Sequence, residues 1–466
     1  MSKSATTKMT TSRAKIVLAK LNDLSAEQLA HRVIERRAFE AVIWGMPAVN
    51  FELMYQAMAD AGGDWNQIVY WSQLPSWKNQ TLTPNPDIIY LMPFFDTSDG
   101  PMVLEIPPAE GGSITGSIDD AWQAALEDVG PAGLDKGKGG KYLILPPDHA
   151  GKVPGGYIVL QSDTYRGFAL LRSNVSGARE KDVAAAAEYG RRVKLHPLSE
   201  PARETVFVDA IDDLFDATIP YDVRFFEMLQ RFVQREPWLV RDKALIDPLK
   251  SIGIEKDTPF EPDTETRYIL IDAVQEARAW LDLQYEAVFA TPYFERGQWT
   301  LPAIPDVVEA MQTLFADPNA YPLDGRAATY SMAFFSMKHL GAGQYYLMAI
   351  HDKAGEALDG RHTYRLHIPA DVPVNLYWSV VLYDRATHAL IRDMAWASRS
   401  SHTAGVQTNL DGSVDLYFGP KAPPGKDANW IPTNPHGMFE ALFRFYGPEK
   451  PLFDKTWVLP DIEKIG

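Results

Sequence analysis

The 466-residue sequence contains no cysteine, which removes disulfides, thiolate metal ligands and cysteine nucleophiles together. That absence fits a reducing cytosol, and equally an envelope protein that needs no bridges. Long hydrophobic runs are also missing: no stretch approaches the ~20 apolar residues of a membrane-spanning helix. The first residues, MSKSATTKMTTSRAKIVLAKLNDLS, offer only the short apolar run Ile16 to Ala19, where a signal peptide needs ~7–15 residues. Residues 1–25 therefore read as a flexible polar leader. The expected location is cytoplasmic, or periplasmic if a signal peptide has been removed. Positive charge is scarce too. A formal net charge of -16 and a pI near 5.1 repel phosphate backbones and anionic membrane surfaces, so nucleic acid is not an expected partner.

Several catalytic signatures are absent as well. There is no G-x-S-x-G elbow, no G-x-x-x-x-G-K-[ST] phosphate loop and no H-E-x-x-H zinc helix. Gly137-Lys138-Gly139-Gly140-Lys141 has the wrong spacing for a phosphate loop and precedes a strand, so it reads as a glycine-rich turn. His362 and His367 fall on opposite faces of one strand, and with His351 they read as scattered structural or surface histidines. No metal is assigned, and the cofactor is left unknown.

What is present is the composition of a folded protein: 46% hydrophobic, 11% aromatic and 23% charged residues. At this length two domains, or one large composite body, are expected. The 34 prolines and 32 glycines point to many turns. Ser25 to Gln28 has capping-box spacing, and helical character follows from Leu29 to Met58, interrupted near Gly45 and Pro47. Strands are expected at Ile88 to Phe95, Met102 to Ile106, Tyr157 to Gln161 and Phe168 to Arg172. A short helix, capped by Ser117, is expected from Asp119 to Asp128. A helical middle follows, with helices at Asp182 to Val193, Phe207 to Phe215, Asp222 to Arg235 and Thr264 to Phe289. In the last, Tyr268, Ile271, Val274, Arg278, Leu281 and Tyr285 form a stripe that should mostly face a core. Beyond Gly325 the texture is β again, with strands at Thr329 to Phe335, Gln344 to His351, Thr363 to Ile368 and Val374 to Tyr383. A hairpin is expected at Val406 to Phe418 around Asp411-Gly412. These short-turned strands favour a sandwich or barrel.

Two segments concentrate proline, amide and aromatic residues: Pro84-Asn85-Pro86-Asp87-Ile88-Ile89-Tyr90 and Asn429-Trp430-Ile431-Pro432-Thr433-Asn434-Pro435. In the first, Asn85 and Asp87 stand at the start of a strand. They suit substrate binding, or an Asx-turn that bonds nearby backbone. Tyr90 could offer its hydroxyl or fill the core. Trp122, in Asp120-Ala121-Trp122-Gln123, could wall a pocket with Lys141 and Asp87, while helix capping accounts equally for Asp119 and Asp120. Asn429, Asn434 and His436 could line a cleft with Trp430, or fasten a loop. On the strand from Val374, Trp378 reads as core and Asp384 stands at the exposed end.

These motifs resemble the paired bacterial domains of unknown function 1254, in the first half, and 1214, in the last third. The residues that carry the resemblance are Trp44-Gly45-Met46-Pro47, PNPDIIY, Gly100-Pro101 with VLEIPP, DAWQ, GKGGKYLILPP, Trp378 to Asp384, LDGSVDLYFG, NWIPTNP and Phe443-Arg444-Phe445-Tyr446-Gly447-Pro448. Where many relatives have Asn-x-Asp-Thr-x-Tyr, this chain has Ile88 in place of the threonine. The resemblance implies an α+β, β-rich fold: two β-sandwich-like, jelly-roll-like bodies joined by a helical middle segment. The corresponding division is a first domain over 26–200, helices over 201–325 and a β-sandwich domain over 326–466.

The resemblance supplies no reaction. The expectation drawn from the residues is a hydrolase or lyase for a small polar or carbohydrate-like molecule, with Asp87 as acid or base, Lys141 as electrostatic partner and Tyr90 as proton donor. Asn85, Trp122, Asp384, Asn429, Trp430 and Asn434 are the candidate substrate-binding residues. The alternative is a non-catalytic small-molecule-binding or envelope-associated structural protein. A small-molecule ligand and a homo-oligomer are the partners considered.

Overall fold

The computed structural model describes residues 24–177, 179–333, 337–339 and 343–466, so the expected leader lies almost wholly outside the described residues. The chain opens with the helix Ala26–Asp60. Ser25 caps it by accepting the Gln28 N–H at 3.1 Å, while the Gln28 side chain accepts the Ser25 N–H at 2.9 Å. The interruption expected near Gly45 and Pro47 does not occur, and the helix runs through both. From Ala41 to Tyr55 every residue is buried, as for a helix surrounded by core. A Cβ at Gly45 would meet Leu229 Cδ1 at 2.8 Å, so glycine here lets the helix Val223–Arg235 approach closely. Packing of this kind outweighs the ~1 kcal/mol that glycine costs a helix.

The first β body contains β1 (Gln67–Tyr70), β2 (Asn79–Gln80), β3 (Ile89–Asp96), β4 (Met102–Ile106), β5 (Ile114–Asp120), β6 (Ala125–Val129), β7 (Gly140–Leu145), β8 (Ile158–Gln161), β9 (Arg166–Ser173), β10 (Lys194–Pro197), β11 (Phe207–Asp209) and β12 (Phe215–Asp216). Its sheets run β11-β1-β3-β9-β5-β6 and β10-β4-β7-β8, with β12-β2 as a separate pair. Strand β3 shows how the layers form. Ile89, Leu91 and Phe95 pack toward the four-stranded sheet, while Tyr90, Met92 and Phe94 face the helices. A strand covered on both faces carries apolar residues at nearly every position.

The second body contains β13 (Gln344–Ala349), β14 (Tyr364–Ile368), β15 (Val374–Asp384), β16 (Ser398–Ser400), β17 (Val414–Gly419), β18 (Trp430–Pro432), β19 (Phe439–Pro448) and β20 (Glu463–Lys464). Sheets β13-β19-β15-β16 and β18-β17-β14-β20 enclose a core that includes Trp378, Phe443, Phe445, Leu366 and Leu416. The fold is thus α+β and β-rich, with helices between two β bodies. The helix Thr264–Val288 places Leu270, Val274 and Leu281 in the core of the first body, and Tyr285 in its last turn packs against the second.

Several expected elements are corrected. The helix expected at Asp119 to Asp128 is the β5–β6 hairpin: Gln123 adopts φ +57, the Asp120 N–H donates to Ala124 O, and the Ala124 N–H returns to the Asp120 side chain. All of β6 is buried, which hides the alternation that marks a strand. The expected helix at Phe207 to Phe215 is instead β11 and β12, joined by an acidic turn and each pairing in parallel with an earlier strand. Residues Thr329 to Met332 belong to the helix Leu323–Met332, whose Ala327, Ala328 and Tyr330 join the core beside the first helix. Phe334 and Phe335, the end of the strand expected there, lie outside the described residues. Around Asp411-Gly412 the turn is present, with Gly412 at φ +85, but residues 406–410 form no strand and β17 pairs with β14 and β18. The expected stripe of helix Thr264–Val288 does mostly face the core, with Val274, Leu281 and Tyr285 buried and Tyr268 exposed, and Leu270, Ala273 and Ala277 widen the buried face.

Candidate functional site between the two β bodies

Alternation along β19 sends Phe443 and Phe445 into the sandwich and turns Arg444 and Tyr446 to its opposite face. On that face Ser379 lies directly across from Arg444, Tyr377 across from Tyr446, and Tyr346 of β13 on the other side of Arg444. The Thr83 to Asp87 loop of the first body covers this polar patch. Thr83, at φ +42, donates its N–H to His388 O at 2.7 Å. The Pro84 carbonyl accepts the Tyr383 hydroxyl at 2.7 Å, and Arg444 Nη2 donates to Thr83 O at 3.1 Å. Proline at positions 84 and 86 fixes the approach and leaves these carbonyls as acceptors.

Asn85 makes an Asx turn by accepting the Asp87 N–H at 3.0 Å. Its amide also donates to the Tyr446 hydroxyl, and its backbone N–H donates to the Tyr90 hydroxyl at 2.8 Å. The Asp87 carboxylate is not consumed by its own turn. Oδ1 accepts the Ser398 hydroxyl at 2.9 Å, whereas Oδ2 is enclosed with no hydrogen-bond partner among the described residues. Ser379 Oγ and Arg444 Nε and Nη1 share that condition. Tyr446 stacks on Tyr377 with centroids 4.0 Å apart, and Tyr377 stacks on His402 at 4.8 Å. Burial pushes the Asp87 carboxyl up, against the Ser398 hydroxyl, the charge of Arg444 and the nearby Ser379 hydroxyl. Burial lowers Arg399 to about 10, opposed by the Asp87 charge.

Asn85, Asp87 and Tyr90 are therefore brought together; the other sequence candidates lie elsewhere. Lys141 sits on β7 with its side chain half exposed and Nζ 2.9 Å from Glu105 Oε1. Trp122 occupies the β5–β6 turn, edge-on to Trp44 and Phe232. Asp384 Oδ1 accepts the N–H groups of Ala386 and Thr387 at 2.8 and 3.2 Å. Asn429 bonds the Gln407 N–H, the Gln407 carbonyl and the Asp415 carbonyl. Trp430 Nε1 donates to Gly419 O, and Asn434 Oδ1 accepts the His436 N–H. Strand β16 stands between the two proline-amide segments: Ser398 holds Asp87, and neighbouring Arg399 donates at 2.9 Å to the carbonyl of Ala428, the residue before Asn429. The residues missed by sequence reading are Arg444, Tyr446, Tyr377, Ser379 and Ser398. For the first two a signal existed, since Arg444 and Tyr446 alternate with Phe443 and Phe445.

A surface cavity of about 430 Å³ lies elsewhere on the second body, bordered by Lys353, Arg365, His367 and Glu463. Its charges are matched internally, with Arg365 2.7 Å from Glu463 and His367 2.8 Å from Asp415. Among the described residues no group of three or more His, Asp or Glu could hold a metal ion, and no helix is long and apolar enough to cross a membrane.

Residues 65–197 match the family described as "Protein of unknown function (DUF1254)", and residues 343–450 match "Protein of unknown function (DUF1214)". The chain carries both domains. Asp87 and its loop belong to the DUF1254 segment, while Ser379, Ser398 and Arg444 belong to the DUF1214 segment. The patch is built from both. Among solved structures, the chain is similar to the VPA0106 protein from Vibrio parahaemolyticus, with 19% identity and a TM-score of 0.56 over 93% of this chain and 100% of that one. That likeness concerns the fold. A second, an uncharacterised protein from Burkholderia cenocepacia, shares 12% identity at a TM-score of 0.40, over 94% of this chain and 96% of that one. No protein of curated function matches the chain.

Proposed function

We propose that the protein acts on a small polar or carbohydrate-like molecule, as a hydrolase or lyase, where the DUF1254 loop meets the DUF1214 sheet. The observation that carries this reading is the set of enclosed polar atoms on one patch: Asp87 Oδ2, Ser379 Oγ and Arg444 Nε and Nη1. Each buried polar group left unpaired costs roughly 1–3 kcal/mol. Several together consume a large share of the ~5–15 kcal/mol that stabilises a domain. A bound molecule offering both an acceptor to Arg444 and a polar hydrogen or oxygen to Asp87 would remove that cost.

In this reading Arg444 anchors an anionic or electron-rich oxygen, for which its planar fork of donors is suited. Asp87, held toward its neutral form by burial and joined to Ser398 through Oδ1, is the group placed to give or take a proton. Tyr90 accepts the Asn85 N–H, which leaves its own phenolic proton for donation. The stack of Tyr446, Tyr377 and His402 gives the patch a rigid aromatic wall. Lys141 has no part in this site.

A thermal-shift screen of sugars, sugar acids and small carboxylates, followed by product analysis by NMR, tests the proposal. Compounds that stabilise the wild-type protein should lose their effect on Asp87→Asn and Arg444→Met, and turnover should require Asp87. Equal shifts in wild type and both variants would remove this patch from any site. Ligand binding without turnover is the second reading. It is favoured by the enclosure of Asp87, which would make a neutral carboxyl a plain hydrogen-bond donor. It requires binding with no product in either protein.

A further inference from the structure

A separate cluster in the first body also gathers unpartnered donors, from three distant parts of the chain. Trp122 comes from the β5–β6 turn, Arg241 from the 3₁₀ helix Val240–Leu245 and Arg326 from the helix Leu323–Met332. Arg326 is 1% exposed and Trp122 2%. Both guanidinium groups lie over the same two rings: Arg326 is 4.4 Å from the Phe315 centroid and 5.1 Å from that of Tyr321, and Arg241 is 5.8 and 5.3 Å from the same pair. Arg326 spends one nitrogen on the Tyr321 hydroxyl and another on Trp122 O at 2.9 Å. Its Nε, together with Arg241 Nε and Nη2 and Trp122 Nε1, is enclosed without a hydrogen-bond partner among the described residues.

Two carboxylates stand nearby, and neither meets this demand. Asp242 Oδ1 is taken by Trp44 Nε1 at 2.9 Å, and its Oδ2 stays 3.8 Å from Arg241 Nε, too far for a hydrogen bond. Asp120 Oδ1 accepts the Ala124 N–H at 2.9 Å. The unpaired atoms are therefore mostly donors, carried by two permanent cations and an indole, with aromatic rings as walls. A hydrated metal or an amine would bring further donors or positive charge and leave these donors unpaired. An oxyanion attached to an apolar body fits both the donors and the walls.

We propose that this cluster is a binding site for a small organic carboxylate, held by Arg241, Arg326 and the Trp122 N–H and packed against Phe315 and Tyr321. It is independent of the patch around Asp87, so either proposal can fail alone. The test uses the full chain, titrated with acetate, benzoate and, as controls, phosphate and chloride at matched ionic strength. Melting temperature and intrinsic tryptophan fluorescence are read, the latter because Trp122 lines the site.

The expected result is a saturable stabilisation by a carboxylate that chloride does not reproduce. The apparent affinity should fall about tenfold or more in Arg241→Gln and in Trp122→Phe, and stay unchanged in Asp87→Asn. Arg241 is the preferred variant, because its side chain is 22% exposed and its loss disturbs the core least. No saturable response to either carboxylate, or equal responses in both variants and wild type, overturns the proposal. Stabilisation by phosphate alone overturns the carboxylate assignment.

Discussion

Glu52 lies in the middle of the first helix with both carboxylate oxygens enclosed and unpartnered among the described residues. Burial pushes its carboxyl up from about 4.5 to about 7, against the pull of Arg235, Arg166 and Arg231. Burial likewise raises Glu236 to about 8, although Tyr165 N–H bonds its Oε2 at 2.7 Å. Because the folded state holds these protons more tightly than the unfolded chain, their contribution is complete below about pH 4.5 and is lost as pH rises through about 7 and about 8. Replacing Glu52 by Gln removes its share of that loss. Between acidic and mildly alkaline pH, urea unfolding should show the variant gaining roughly 3 kcal/mol on the wild type. Parallel stability-pH curves for the two proteins would show that Glu52 is paired in solution.

Among the elements, the proline-amide loops separate into two kinds. Asn429 makes three backbone hydrogen bonds while 3% exposed, so Asn429→Ala should destabilise the protein by about 3 kcal/mol in urea unfolding and leave any ligand response intact. Asn85→Ala removes the Asx turn and the bond to Tyr446, and should weaken ligand response as well as stability. A ligand response unchanged in Asn85→Ala would place the loop among the fasteners. Strands such as β3, β4 and β15 are legible in the sequence because branched and aromatic residues sit between clear turn signals. The β5–β6 hairpin is not, because two buried faces erase its alternation and Ile118, Trp122 and Ala125 also fit a helical period. The strand expected before β17 fails for a different reason. A tight turn fixes only local geometry, and β17 pairs instead with β14 and β18, partners that are distant in sequence.

At the scale of the whole molecule, the two families meet through side chains hundreds of residues apart. Asp87 stands out from local chemistry and Ser398 does not, because the Ser398–Asp87 contact depends on how the first body docks on the second. The same docking buries Arg444 beneath the carbonyls of Thr83 and Pro84. Removing one member of such a patch should therefore alter both ligand response and the joining of the two bodies, since the groups left behind stay buried and unpaired. The proposed site requires one polar molecule that satisfies Asp87 Oδ2, Ser379 Oγ and Arg444 together. X-ray diffraction from crystals soaked with compounds that raise the melting temperature tests this most directly. Density for the compound should bridge Asp87 and Arg444 beneath the loop of residues 83–87; direct pairing of Asp87 with Arg444, with the compound bound elsewhere, would rule this site out.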